Sequence, residues 1–271
     1  MQVILPSGSI SYTPEQQEAY RERKERERAK KIQRGCNDAL GYFYFANQQE
    51  PFKCISPESV TRLIYLNTFV GYDNKLMLSE RKPMTRADLP SVLHLSTSTV
   101  IRFLREVSPA YIVEKEGGLI FANRDIFIKG AIPKSAGRYQ KIYIDGVRRL
   151  YNSVPRRNDR QLGYLFKLLP YINIEYNLIC RNPFETDIDK IELISLAEFC
   201  ALVGYDVAHI NKLLKIYNSL LFDVGGRMER FCAIAYDGVH KSGAKIFVNP
   251  HILYSGSDYQ KVEVLGVFCT D

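Results

Sequence analysis

Residues 96–105 read Ser-Thr-Ser-Thr-Val-Ile-Arg-Phe-Leu-Arg. On a helix, residues three and four apart are neighbours. Ser98, Arg102 and Arg105 therefore share one face, while Val100, Leu104 and Val107 form an apolar stripe on another. Hydroxyls and guanidinium groups presented together donate hydrogen bonds to base edges and phosphate oxygens. Thr97 and Thr99 add two further hydroxyls. A related set, His209, Asn211, Lys212 and Lys215, stands 110 residues further along in the matching segment. Cations also gather at Arg81, Lys82 and Arg86 before the first set, at Lys115 after it, and at Lys241 and Lys245 after the second. These fifteen positions are the candidate contacts to a polyanion, double-stranded DNA.

Other chemistries lack their residues. The chain has no G-x-x-x-x-G-K-[ST] phosphate loop, no G-x-G-x-x-G, no G-x-S-x-G and no H-E-x-x-H. Its six cysteines include no C-x-x-C pair and its four histidines are scattered, so no metal or cofactor is expected. The cysteines read as reduced thiols of a cytoplasmic protein. Asp187 and Asp189 read as a solvated acidic loop. Tyr143 and Tyr151 could be imagined as strand-nicking nucleophiles, but no His-hydrophobe-His motif accompanies them and they read as structural. No leader and no membrane-length apolar run is apparent, so neither an enzyme nor a membrane protein is expected.

What must position the cations is a repeated element. Residues 85–107 and 195–217 match without a gap. Thr85 falls on Ser195 and Asp88 on Glu198, each pair spaced as a helix cap with an acid three places on. Ser96 falls on Asp206, a second cap in each copy, and Leu89, Leu93, Val100, Phe103, Leu104 and Val107 meet Phe199, Val203, Ile210, Leu213, Leu214 and Tyr217. Upstream, Leu63, Leu66, Val70 and Leu76 meet Leu165, Leu168, Ile172 and Leu178. Downstream, Ile120-Phe121-Ala122-Asn123 meets Ile246-Phe247-Val248-Asn249, and Tyr139-Gln140-Lys141-Ile142 meets Tyr259-Gln260-Lys261-Val262. Each copy reads as helix, short strand, helix, tight turn, helix and two-stranded wing. In the second copy the wing is longer, with strands expected at 220–224, 231–236 and 244–248.

The expected fold is α+β, mainly helical: two tandem winged helix-turn-helix domains at 51–152 and 153–271, behind an N-terminal arm and docking segment at 1–50. A polar, proline-containing hinge is expected at 152–159. In the arm, residues 20–34 are almost all charged and of both signs, and read first as a solvated helix and second as a phosphate-binding arm. Net charge is +7 over the chain. The excess sits in 51–152, with 16 basic against 9 acidic residues; 153–271 holds 13 against 14. The first domain is thus expected to be the stronger DNA contact, and the second is expected either to read another half-site or to serve replication proteins or a self-dimer.

Residues 243–256, Gly-Ala-Lys-Ile-Phe-Val-Asn-Pro-His-Ile-Leu-Tyr-Ser-Gly, resemble the wing and following segment of the RepL-type plasmid replication proteins. Residues 118–130 look like the same element, with Asn123-Arg124 in place of Asn-Pro. The chain departs from that family in having two copies and a charged arm. Two winged helices in one chain are similar also to iteron-binding replication initiators, in which both domains grip adjacent major grooves. These resemblances imply a plasmid or phage origin-binding protein; a transcriptional regulator of a mobile element and a winged-helix protein-interaction scaffold are the other readings.

Overall fold

The protein is an α+β chain of helices and small antiparallel sheets. The structure, a computed structural model, describes residues 3–4, 10–11, 13–46, 51–132, 138–236, 244–256, 258–263 and 266–270. Strands β1 (Val3–Ile4) and β2 (Ile10–Ser11) pair ahead of a long helix, α1 (Pro14–Leu40). Thr13 caps α1, and the Gln16 side chain returns the bond to the Thr13 N–H. Glu22–Arg26 and Arg23–Glu27 pair along its exposed part. Near its end Ile32, Cys36 and Leu40 pack on a cluster of Tyr143, Tyr254, Tyr259 and Val262. Strand β3 (Tyr42–Ala46) follows, its Phe43 and Phe45 fully buried.

The first matched segment opens with α2 (Pro57–Asn67), capped by Ser56. The short strands β4 (Met77–Ser79) and β5 (Lys82–Pro83) pair with each other. A single 3-10 turn, Arg86–Asp88, leads into α3 (Leu89–Leu93), with Thr85 and Asp88 forming the expected capping box. Hydrogen bonds from the Thr85 hydroxyl and N–H hold the Asp88 carboxyl below its ordinary pKa. His94 turns the chain in the left-handed region, at φ 54°, and Ser96 caps α4 (Thr97–Val107). A hairpin follows, β6 (Ile112–Lys115) with β7 (Leu119–Ala122), and then β8 (Phe127–Ile128).

Strand β9 (Tyr139–Tyr143) runs beside β3, giving the order β8-β3-β9, and α5 (Ile144–Ser153) continues from it. The second matched segment begins with α6 (Asp159–Phe166). Helix α7 (Leu196–Val203), capped by Ser195, ends at Gly204 in the same left-handed conformation as His94. Helix α8 (Ile210–Ser219) follows one 3-10 turn, Val207–His209. Two hairpins come next: β10 (Leu221–Val224) with β11 (Arg227–Arg230), and β12 (Cys232–Tyr236) with β13 (Ala244–Val248). Helix α9 (Gln260–Glu263) lies near the end.

Hydrogen bonds align the two halves more finely than sequence does. Asn74, at φ 60°, donates from its side chain to the carbonyls of Ala122 (3.4 Å) and Phe127 (2.7 Å). Asn177, at φ 52°, donates to those of Val248 (3.1 Å) and Leu253 (2.6 Å). Asn123 donates to Ala110 O at 2.7 Å, and Asn249 to Arg230 O at 2.9 Å. The N–H of Leu76 binds Ile120 O, and that of Ile179 binds Ile246 O. Leu76 therefore corresponds to Ile179, not to Leu178 as the ungapped match suggests. The turn before it carries one extra residue in the second half. The β12–β13 hairpin occupies the place of β6–β7, and β10–β11 is an addition ahead of it rather than a longer wing.

We expect Asn74→Ala and Asn177→Ala each to lower stability by roughly 2–3 kcal/mol. Each strands two buried carbonyls and puts alanine at positive φ. Denaturant midpoints measure this; a loss at one site alone would show that the two asparagines play different roles.

Two expectations need correction. Tyr139-Gln140-Lys141 is strand, whereas Gln260–Glu263 is helix, so that sequence match is not a structural one. Residues 152–159 are not an open hinge. Val154 is buried, and Asp159 is fully buried between Arg62 (3.1 Å) and Arg156 (3.2 Å). Burial raises the Asp159 pKa against the pull of both arginines. One apolar core runs through both halves, from Phe43 and Leu63 to Leu165, Leu214 and Leu253.

Candidate nucleic-acid interface

Helix α4 is sorted by its own periodicity. Val100, Phe103 and Val107 are buried, and Leu104 packs partly against the core. Thr97, Ser98, Arg102 and Arg105 are exposed. Thr99 is half-buried and engaged locally: its N–H binds the Ser96 hydroxyl, and its own hydroxyl lies 2.9 Å from that oxygen. The Ser98 hydroxyl is 3.1 Å from the same atom. Thr99 is therefore part of the cap that aims the helix, and Thr97, Ser98 and Arg102 form its open polar surface.

Arg105 faces the hairpin. It lines a cleft between α4 and β6–β7 together with Arg86, Leu104, Ser108, Ile112 and Glu114. Arg86 pairs with Glu114 at 3.3 Å, both half in solvent. An exposed pair of this kind contributes little to stability. Lys115, at the hairpin tip, lies 4.2 Å from the centre of the Phe121 ring. Arg81 and Lys82 are exposed around the β4–β5 turn. The first half thus carries cations on the α4 face and on the β4–β5 turn, whereas at the hairpin tip Lys115 stands between Glu114 and Glu116.

Helix α4 is fixed to the body from behind. Glu106 accepts from the Ser56 N–H (3.1 Å) and hydroxyl (2.6 Å) at the start of α2. Burial pushes its pKa up, but these bonds outweigh that and hold it below the ordinary value. This carboxylate next to Arg105 is consequently turned away from the basic face; sequence reading passed it over.

The second half offers a weaker version. Asn211, Lys212 and Lys215 are exposed on α8, with Ile210, Leu213, Leu214 and Tyr217 buried behind them. His209 is exposed on the 3-10 turn, 3.8 Å from the Asp206 carboxylate. Lys245 is half-buried on β13, opposite Ala235. Lys241 lies outside the described residues.

The residues considered for catalysis are placed elsewhere. Tyr143 and Tyr151 are fully buried, their hydroxyls donating to Asn37 Oδ1 (3.0 Å) and Leu93 O (2.9 Å), and burial raises both pKa values. Cys180, Cys200 and Cys232 are buried, and burial pushes the Cys180 thiol up to about 11. Among the described residues no group of three or more His, Cys, Asp or Glu could hold a metal, and no helix is long and apolar enough to cross a membrane. No protein-family model, curated protein or solved structure matches the chain.

Proposed function

We propose that the chain is a non-enzymatic, sequence-specific double-stranded-DNA-binding protein built from two tandem winged helices. One observation carries this reading. In each half a tight left-handed turn delivers a helix whose apolar face is buried and whose cationic face is exposed beside a two-stranded hairpin. A helix presented in this way fits the major groove, with its first turns on base edges and the hairpin on the neighbouring backbone. The equivalent bonds of Asn74 and Asn177, and of Asn123 and Asn249, support descent of both halves from one unit.

Within this class, the likeness of residues 243–256 to RepL-type replication proteins favours origin binding over transcriptional control. Selection of bound duplexes from a random DNA pool by the full-length chain tests the proposal. Enrichment of a two-part motif, repeated at an origin of replication, is the expected outcome. Recovery of no motif, with retention that fades steeply in salt, would mean sequence-independent backbone contact and would end the specific reading.

A further inference from the structure

A tandem duplication read along the chain suggests two units related by translation, which would read direct repeats. The packing between the halves has a different symmetry. Helices α2 and α6 open at equivalent residues, Pro57 and Asp159, and Thr61 of the first corresponds to Gly163 of the second. Their contacts are reciprocal. The Thr61 hydroxyl donates to Asp159 O at 2.7 Å. In the mirrored position, a β-carbon on Gly163 would lie 1.7 Å from Pro57 O, so the α6 backbone rests directly on that carbonyl. Glu58 and Arg160, also equivalent to each other, meet across the crossing at 3.7 Å.

The sheet repeats this relation independently. Tyr44 on β3 stands opposite Lys141 on β9. On the outer edge of β3, Phe45 pairs with Phe127, and the Ala46 N–H donates to Ile126 O at 2.8 Å. On the outer edge of β9, Ile142 pairs with Leu253, and the Tyr143 N–H donates to Ile252 O at 2.8 Å. The asparagine bonds described above make Phe127 and Leu253 equivalent. Each contact from one half is thus returned by the other, which is the mark of an isologous, two-fold interface.

We infer that this chain is a covalent pseudo-dimer whose α4 and α8 read the two halves of one duplex site in inverted order. The inference rests on the DNA-binding reading. Symmetric readers on one duplex share its local dyad, so their half-sites run in opposite directions, as in the operators of dimeric helix-turn-helix proteins. The half-sites are not identical in sequence. Helix α4 offers Thr97, Ser98 and Arg102, and α8 offers Asn211, Lys212 and Lys215. The site is an imperfect palindrome that one molecule occupies.

Phosphate-ethylation interference separates the possibilities, using the full-length chain and the duplex it enriches from a random pool. Two clusters of interfering phosphates are expected, on opposite strands and symmetric about a centre. Reversing one half-site in place should weaken binding roughly tenfold or more. Two clusters repeated on the same strand, or a single cluster, would overturn the inverted arrangement and leave DNA binding intact. Failure to bind any duplex would instead remove the DNA-binding reading, and this inference with it.

Discussion

Gly163→Ala is expected to destabilise the whole chain by at least about 4 kcal/mol. The added carbon would lie 1.7 Å from Pro57 O, 2.3 Å from Pro57 C and 2.8 Å from Pro57 Cα. All three are backbone atoms, so no rotamer change relieves the clash and α2 must move off α6. That movement also breaks the bond from Thr61 to Asp159 O and loosens the buried Arg62–Asp159 pair. Overpacking usually costs 1–3 kcal/mol, and values above 4 come from contacts that cannot relax. Because the core is continuous, both halves should unfold together in one transition. Gly35 is the internal control: it lies within α1 with nothing within 4 Å of a β-carbon. Gly35→Ala should be neutral or stabilising by up to about 1 kcal/mol, the ordinary gain of alanine over glycine in a helix. A Gly163→Ala protein with unchanged denaturant midpoint would refute the close crossing.

The second large effect is on binding. Arg102→Ala and Arg105→Ala should each weaken affinity for the selected duplex by about 1–3 kcal/mol, and should leave folding intact, since both side chains are exposed. The two should differ in kind. Arg102 stands on the open face of α4, and its loss should relax sequence preference at one position. Arg105 lines the cleft beside Arg86 and Glu114, so its loss should act on the fit of the hairpin against the backbone and flatten the salt dependence. Fluorescence anisotropy at several salt concentrations distinguishes these results. Unchanged affinity in both variants would remove α4 as the reading helix. Lys212→Ala should cost less, because the second half lacks the basic excess of the first.

Local chemistry made much of each half legible in the sequence. Ser56, Thr85, Ser96, Ser195 and Asp206 stand where cap hydrogen bonds or the Thr85 capping box form, because capping depends on a short side chain and its own next turn. The apolar faces of α4 and α8 followed from period alone. What escaped sequence reading depends on distant partners. Tyr139–Tyr143 is strand because β3 and residues 252–254 flank it; Gln260–Glu263 has no such neighbours and coils beside α1. Similar residues took different forms because strand preference is set by the surrounding sheet. The extra residue before Asn177 left hydrophobicity unchanged and appeared only in the hydrogen-bond register. The expected hinge failed for a related reason. A polar, proline-containing stretch ordinarily marks a boundary, but here Asp159 finds two arginines and is carried into the core. Among the candidate contacts, exposure followed period for Arg102, Lys212 and Lys215, whereas Thr99 was drawn into its own cap.

The core shared by α2 and α6 has a consequence for dose. Two separate subunits must first meet, so at low abundance their occupancy of a two-part target falls with the square of concentration. Halves that belong to one covalent chain, and share one apolar core, do not part on dilution. Under the proposed DNA-binding function, occupancy would then rise in simple proportion to the number of molecules, each copy of the protein counting as one complete reader.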